Sequence, residues 1–228
     1  MVVIFTMLYI YKDIRKVLVI RPGGIGDAVM LLPVVRSLRR SGVGLTVLCE
    51  RRNAGVFTAQ ADLELDVLRY DVPSEFLRVF RLSFDAVVDT EQWHYLSAIV
   101  ARLAKTGYRA GFATRPLRAR AFHRAVAYGG DAYELDNFRE LFSFLSGGGD
   151  GILKGSWVVA SRPGTGVPDG PYAVVAVGGS IALRRFSEDQ LKRLTEMLCG
   201  KGLAVVLLGG ADAAVVCERV RSAAIGEA

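Results

Sequence analysis

The chain has 228 residues, room for one large domain or two small ones, and 51% hydrophobic with 23% charged residues describes a globular chain, not a disordered one. A net charge of +6 and a pI of about 9.4 favour an anionic partner: a phosphorylated small molecule, an anionic membrane surface or nucleic acid. Cys49, Cys199 and Cys217 are widely separated without a CxxC, and His94 and His123 are the only histidines, which excludes a disulfide framework, a zinc site of that kind and an HExxH helix, and points to the reducing cytosol.

The chain begins MVVIFTMLYIYK. This apolar run is shorter than the ~20 residues a bilayer span needs, and it lacks the basic region and cleavage site of a signal peptide. It reads either as an upstream extension, with Met7 the start, or as an apolar strip that packs on a neighbour.

Lys16–Arg21 is the first strand. Val17, Leu18, Val19 and Ile20 form a continuous apolar run, as in a parallel strand buried on both faces. Pro22 ends it, and Gly23, Gly24 and Gly26 allow a tight turn into a helix, with Asp27 where turn becomes helix. Val29, Met30, Leu32, Val35 and Leu38 recur at helical spacing, and Arg36, Arg39 and Arg40 suit the negative end of the helix dipole. Leu45–Cys49 is a second strand, with Glu50, Arg51, Arg52 and Asn53 at its C-terminal edge, where ligands bind in open α/β sheets. A strand at Leu63–Tyr70, a short helix at Pro73–Leu82 and a buried strand at Asp85–Asp89 follow, the last ending in Thr90, Glu91 and Gln92. Trp93–Lys105 reads as a helix with Leu96, Ile99, Val100 and Leu103 on one face, and Tyr108–Phe112 as a strand. Arg115–Arg124 is a basic run leading into a loop that extends to Asp131, and Tyr133–Leu145 is a helix with Leu135, Phe138, Leu141, Phe142 and Leu145 as its core face.

Glycine and proline crowd Gly147–Gly170, which marks a linker, with a small strand at Trp157–Ala160. The pattern then restarts: strand Tyr172–Val177, a small-residue turn at Gly178–Ser180, helix Ser187–Leu198, strand Leu203–Leu208, and another helix from near Asp212. The expected organisation is a Rossmann-like lobe over 1–146, a linker over 147–170 and an incomplete second lobe over 171–228.

Two readings of the first glycine turn follow from its residues. A dinucleotide site would use Gly24 and Gly26 with Glu50 as the ribose acid, but the third small residue falls at Val29, and Asp27 sets a negative charge where a pyrophosphate belongs. Alternatively Asp27 is the working group, a carboxylate whose charged form the helix N-terminus favours and which can take a proton from a hydroxyl. Against both stands the plain role of Asp as a helix N-cap.

RPGGIGDAVMLLPVVRSLRR, CERRNAGVF, VVDTEQWHYLSAIVARL, YRAGFATR and VAVGGSIALRRFSEDQL…VVLLGG, in that order, resemble glycosyltransferase family 9, the ADP-heptose:lipopolysaccharide heptosyltransferases and their relatives. The resemblance runs from about Lys16 to the end of the chain. It implies a GT-B fold of two Rossmann-like lobes, an acceptor-binding amino lobe and a carboxyl lobe for a nucleotide sugar such as ADP-heptose. It implies no metal and no other cofactor, transfer with inversion to a lipopolysaccharide-core or related anionic glycolipid acceptor, and a cytoplasmic bacterial enzyme. Asp27 takes the place of the family's general base, with Gly23, Gly24 and Gly26 around it. Arg184, with Arg185 beside it, matches the donor-phosphate residue, and Gly179 and Ser180 match the preceding turn. Arg51, Arg52, Arg118 and Arg120 either meet anionic groups of the acceptor or form a solvated basic surface, and Glu91 either touches the acceptor or caps the next helix. Nucleic acid is not an expected partner, and membrane contact is peripheral at most.

Two departures accompany the resemblance. The family's acidic residue after the second-lobe glycine pair falls on Ala213, with Asp212 one place away, and a later D-[TS]-G-x-[ST]-type loop lies beyond the sequence, which is expected for a fragment or a truncated product. The rival readings are an incomplete, non-catalytic carbohydrate- or anion-binding module and an NAD-dependent oxidoreductase.

Overall fold

Lys16–Arg21 (β1) is buried along all but its first residue because it is the central strand of a parallel sheet. The computed structural model describes residues 14–146, 168–179 and 185–226. The apolar strip of residues 1–12, the Trp157–Ala160 strand, and Ser180 and Arg184 lie outside the described residues. The chain folds as two compact units, 1–160 and 161–228.

In the first unit β1 is followed by α1 (Ile25–Arg40), β2 (Gly44–Cys49), α2 (Arg51–Thr58), β3 (Asp66–Arg69), α3 (Pro73–Val79), β4 (Ser83–Asp89), α4 (Tyr95–Leu103), β5 (Lys105–Phe112), α5 (Pro116–Ala119), β6 (Arg124–Val126) and α6 (Glu134–Phe142). The strands run parallel in the order β3-β2-β1-β4-β5-β6, the Rossmann arrangement. The two-residue period of β1 sends Val17 and Val19 to one face and Leu18 and Ile20 to the other. The first face packs on Leu31, Val35 and Leu38 of α1, Phe57 of α2 and Phe138 and Leu141 of α6. The second packs on Val79 of α3 and on Ala98, Val100 and Ala101 of α4. Each fully buried Val, Leu or Ile is worth roughly 1.5–3 kcal/mol, so the two clusters hold the sheet edge rigid.

Four sequence expectations change. Arg51–Thr58 is a helix, whereas only the polar cluster at its start was expected there. Arg124–Val126 pairs with β5 as an edge strand, where a loop was expected. The helix at Tyr133–Leu145 ends at Phe142 and continues as a 3-10 turn over Ser143–Ser146. Arg36 and Arg39 do more than complement a dipole: Arg36 is buried against Gln60 (2.6 Å) and Asp62 (2.7 Å), and Arg39 donates to the Leu63 carbonyl at 2.5 Å.

The second unit holds the parallel pair β7 (Tyr172–Ala176) and β8 (Ala204–Leu208), with α7 (Glu188–Cys199) and α8 (Ala214–Gly226). Ser187 caps α7: its hydroxyl accepts the Gln190 N–H at 3.2 Å, and the Gln190 side chain accepts the Ser187 N–H at 2.8 Å. Val175, Val177, Leu191, Ala213 and Val220 make the core of this unit.

Candidate active site

The strand order places a switch point between β1 and β4. Their C-terminal ends are neighbours, with Ile20 opposite Asp89, yet the chain leaves β1 for α1 on one face of the sheet and β4 for α4 on the other. A crevice opens where the two connections diverge. A cavity of about 700 Å³ occupies it, within the usual range for small-ligand sites.

The glycine turn forms one wall. Gly23 has φ +102°, a conformation L side chains rarely adopt, and its N–H donates to Glu50 Oε1 at 2.9 Å. Gly24 is the N-cap of α1, in extended conformation and without a side-chain cap bond. Asp27 is therefore the third residue of the helix and does not cap it. Its half-exposed carboxylate lines the cavity, with Oδ2 at 3.2 Å from Arg21 Nη2.

Arg21 is a cavity residue that sequence reasoning missed. It ends the buried strand and is 1% exposed. Its Nε donates to the Pro22 carbonyl at 2.9 Å and its Nη1 to the Thr90 carbonyl at 2.8 Å. Nη2 stands between two carboxylates, 3.2 Å from Asp27 and 3.9 Å from Glu91 Oε2. A planar guanidinium hydrogen-bonded at each of its three nitrogens is a fixed cation, bonded to Asp27 and close to Glu91.

Of the two roles that the sequence left open for Glu91, the structure shows the ordering of the next helix. Glu91 Oε1 accepts the N–H groups of Trp93 (2.9 Å) and His94 (3.4 Å), ordering the start of α4, while the residue also lines the cavity beside Arg21. Glu50 is committed to structure. Its Oε1 accepts from Gly23, from Tyr70 Oη at 2.7 Å and from Arg52 Nη2 at 3.0 Å. Burial pushes this carboxyl up, but the bonds from Tyr70, Arg52 and Gly23 outweigh it and leave it below its ordinary value. Tyr70 is raised in turn, by burial first and then by Glu50. A Glu50 occupied in this way is poorly placed to bind a ribose, which weakens the dinucleotide reading.

The arginines divide. Arg52 lines the cavity and pairs with Glu50. Arg51 is exposed, 3.8 Å from Asp71, and Arg120 is exposed; neither lines the cavity. Arg118 corrects the expectation of an acceptor or solvent contact: it is 0% exposed and pairs with the equally buried Asp89 at 2.6 Å. It also donates to the carbonyls of Glu91 and His94 and to Ser97 Oγ, so it shapes the 90–94 loop from behind. Burial, opposed by the Arg118 charge, pushes Asp89 up to about 6.

The lining residues Gln92 and Trp93 are in turn held by residues from later in the unit. Gln92 donates to Glu134 Oε1 and Tyr128 to Glu134 Oε2, each at 2.7 Å, and Trp93 packs edge-on against the Tyr128 ring. Burial, then the Glu134 bond, then the negative charge of Asp27 push Tyr128 up to about 12. No sequence motif marked Tyr128 or Glu134, because they meet Trp93 and Gln92 only when β6 pairs with β5 and α6 packs on α1 and β5.

In the second unit, Arg185 Nε donates to the Gly179 carbonyl at 2.5 Å, and Nη2 lies 3.8 Å from Asp212 Oδ2. Ala213, where the resemblance aligns an acid, is buried, and the exposed carboxylate beside it is Asp212. Ser180 and Arg184 cannot be placed, being outside the described residues.

No protein-family model matches the chain, and no curated protein matches it in sequence. Solved structures do. The chain aligns across 90% of its length with the E. coli heptosyltransferase WaaC with ADP, at a TM-score of 0.74 and 21% identity. The chain has the GT-B heptosyltransferase fold. A glycosyl transferase family 9 protein from Veillonella parvula aligns over 90% of the chain at a TM-score of 0.72 and 13% identity, and E. coli ADP-heptose lps heptosyltransferase II over 91% at 0.65 and 15%. The chain covers 70%, 66% and 68% of these three proteins, respectively. The heptosyltransferase fold supports the α/β reading and the resemblance read from the motifs.

Proposed function

We propose that the chain is an inverting glycosyltransferase that moves a sugar, heptose in the first instance, from a nucleotide-sugar donor to a hydroxyl of an anionic glycolipid or core-oligosaccharide acceptor. The observation that carries this reading is Asp27: a half-exposed carboxylate on a cavity wall at the sheet's switch point, released from capping and set by a buried arginine. Arg21 engages Oδ2 and leaves the other oxygen for the acceptor hydroxyl. In this reading Asp27 takes the hydroxyl proton as the oxygen attacks the anomeric carbon, and the bond from that carbon to the diphosphate breaks on the opposite face. Glu91 and Arg52 line the acceptor pocket.

The departing nucleoside diphosphate gathers negative charge. Arg184, Arg185 and the N-terminus of α7 are the groups proposed to meet it, in place of a metal. Two of the similar solved structures contain ADP or an ADP-heptose analogue, which supports a nucleotide-sugar donor. Location in the bacterial cytoplasm, at the inner face of the membrane, belongs to the same proposal; among the described residues no helix is long and apolar enough to cross a membrane. The test is transfer from ADP-heptose to a delipidated core oligosaccharide, with the anomeric configuration of the product read by NMR. Product of inverted configuration is expected. Retention of configuration, or no transfer to any core acceptor, overturns the proposal.

A further inference from the structure

Between Glu91 and Asp131 the chain contains no acidic residue, and its basic residues there include Arg102, Lys105, Arg109, Arg115 and Arg120. The fold gathers much of this stretch on one surface. α5 lies against the start of α4, because Arg118 reaches the His94 carbonyl and Ser97, and the Arg115 guanidinium lies 5.7 Å from the centre of the Tyr95 ring. Arg118 pairs with Asp89 and Arg124 with Glu140; among the described residues no carboxylate pairs with Arg102, Arg109, Arg115 or Arg120. Burial lowers Arg109, with the Arg102 charge adding to it, and burial lowers His123, with the charges of Arg109 and then Arg102 adding to it.

The same surface is apolar where a solvated helix would be polar. α4 turns Ser97, Ala98, Val100 and Ala101 to the sheet. Leu96, Ile99 and Leu103, spaced to share one stripe, stand 56%, 53% and 63% exposed, and Leu117 of α5 is 66% exposed. Leu96 also lines the cavity, so the stripe starts at the mouth of the site and runs outward along the helix.

We infer that the outer face of α4, with α5, is a docking surface for a bilayer rich in anionic lipid. Apolar side chains on one stripe, flanked by arginines without acidic partners, match a surface that is apolar beneath an anionic headgroup layer. Charge complementarity selects this occupant over a second copy of the chain, whose matching face would bring the same unpaired arginines together. This deepens the proposed function, on which it rests for its purpose: the docked face would hold the cavity mouth against the membrane that carries a lipid-linked acceptor.

Co-sedimentation with phosphatidylglycerol/phosphatidylcholine vesicles, and with phosphatidylcholine alone, tests the surface directly. The expected result is binding to the anionic vesicles only, lost at ~1 M salt where the Debye length falls to ~3 Å. Arg102→Gln and Arg120→Gln should each weaken it by about fivefold, and Ile99→Ser/Leu103→Ser should abolish it. These side chains are exposed, so the thermal unfolding of the variants should match the parent. Ile99→Ser/Leu103→Ser should also keep transfer to a delipidated, soluble acceptor, which separates docking from chemistry. Equal binding to both vesicle types, no binding, variants that bind as the parent does, or concentration-dependent self-association removed by Ile99→Ser/Leu103→Ser in place of vesicle binding would each overturn the inference. Vesicle binding that persists in a chain without transferase activity would sink the functional proposal and leave the surface standing.

Discussion

Replacing Arg118 by methionine separates a buried structural arginine from a surface one. The guanidinium is fully buried, 2.6 Å from an equally buried Asp89, and it holds three further groups of the 90–97 segment. Removing one member of a buried pair typically costs about 3–5 kcal/mol, chiefly because the remaining charge is left uncompensated. Arg118→Met should therefore fall in that range. Asp89→Asn should also destabilise, and the double variant should cost less than the sum of the two by at least ~2 kcal/mol, since no lone charge remains. The pH dependence supplies a second readout. Asp89 is pushed up to about 6 from 3.8, so the native state holds its proton more tightly than the unfolded chain does. Its contribution is fully present below the unfolded value and is lost as pH rises through about 6, an amount on the order of 3 kcal/mol. Urea denaturation from pH 4 to 7 should show the parent losing stability relative to Asp89→Asn across that window. If Arg118→Met costs under ~1 kcal/mol and the two pH curves run parallel, the buried pair does not hold the loop, and Arg118 is a surface residue after all.

Gly23→Ala puts a side chain at φ +102° with its Cβ 3.3 Å from Arg21 Nη2; it should lose about 1–2 kcal/mol of stability by denaturation and lower transfer more than Gly26→Ala, whose Cβ meets nothing within 4 Å. Glu50→Gln should bring the raised Tyr70 back toward its ordinary value, read as phenolate absorbance, while Glu91→Gln should leave it unmoved. Because Glu50 lies below its ordinary value in the folded state, its stabilisation should be present at neutral pH and fade as pH falls through its folded value, and Glu50→Gln should remove that part of the acid slope. Arg21→Met should lower transfer without preventing donor binding, measured by calorimetry with ADP, because Arg21 pairs with Asp27 in the first unit.

The sheet's central strand and the glycine turn were legible because the features that reveal them are local: four apolar residues, a proline, three glycines and an acid. The role of Arg21 was not, since the carbonyl that anchors it belongs to Thr90, far along the chain. Arg118 sat in a run that reads as solvated basic loop, and only the docking of α5 on β5 brings it to Asp89. The stripe of α4 was visible, but its direction was not. Large apolar residues at helical spacing suggest a core face, whereas this helix buries Ser97, Ala98 and Ala101 and, of the expected face, Val100 alone. β6 has three residues, too few for a period to show. Asp27 was singled out by charge and spacing; what the sequence left open was capping, and Gly24 takes that position.

The central claim is that Asp27 removes the acceptor proton. Single-turnover transfer from ADP-heptose, comparing the parent with Asp27→Asn, tests it most directly, because the substitution keeps the shape of a half-exposed side chain that caps nothing. The rate should fall by about 10²–10⁴, the usual contribution of a positioned general base, with acceptor binding and thermal stability nearly unchanged. A variant that transfers the sugar at the parental rate would contradict the account.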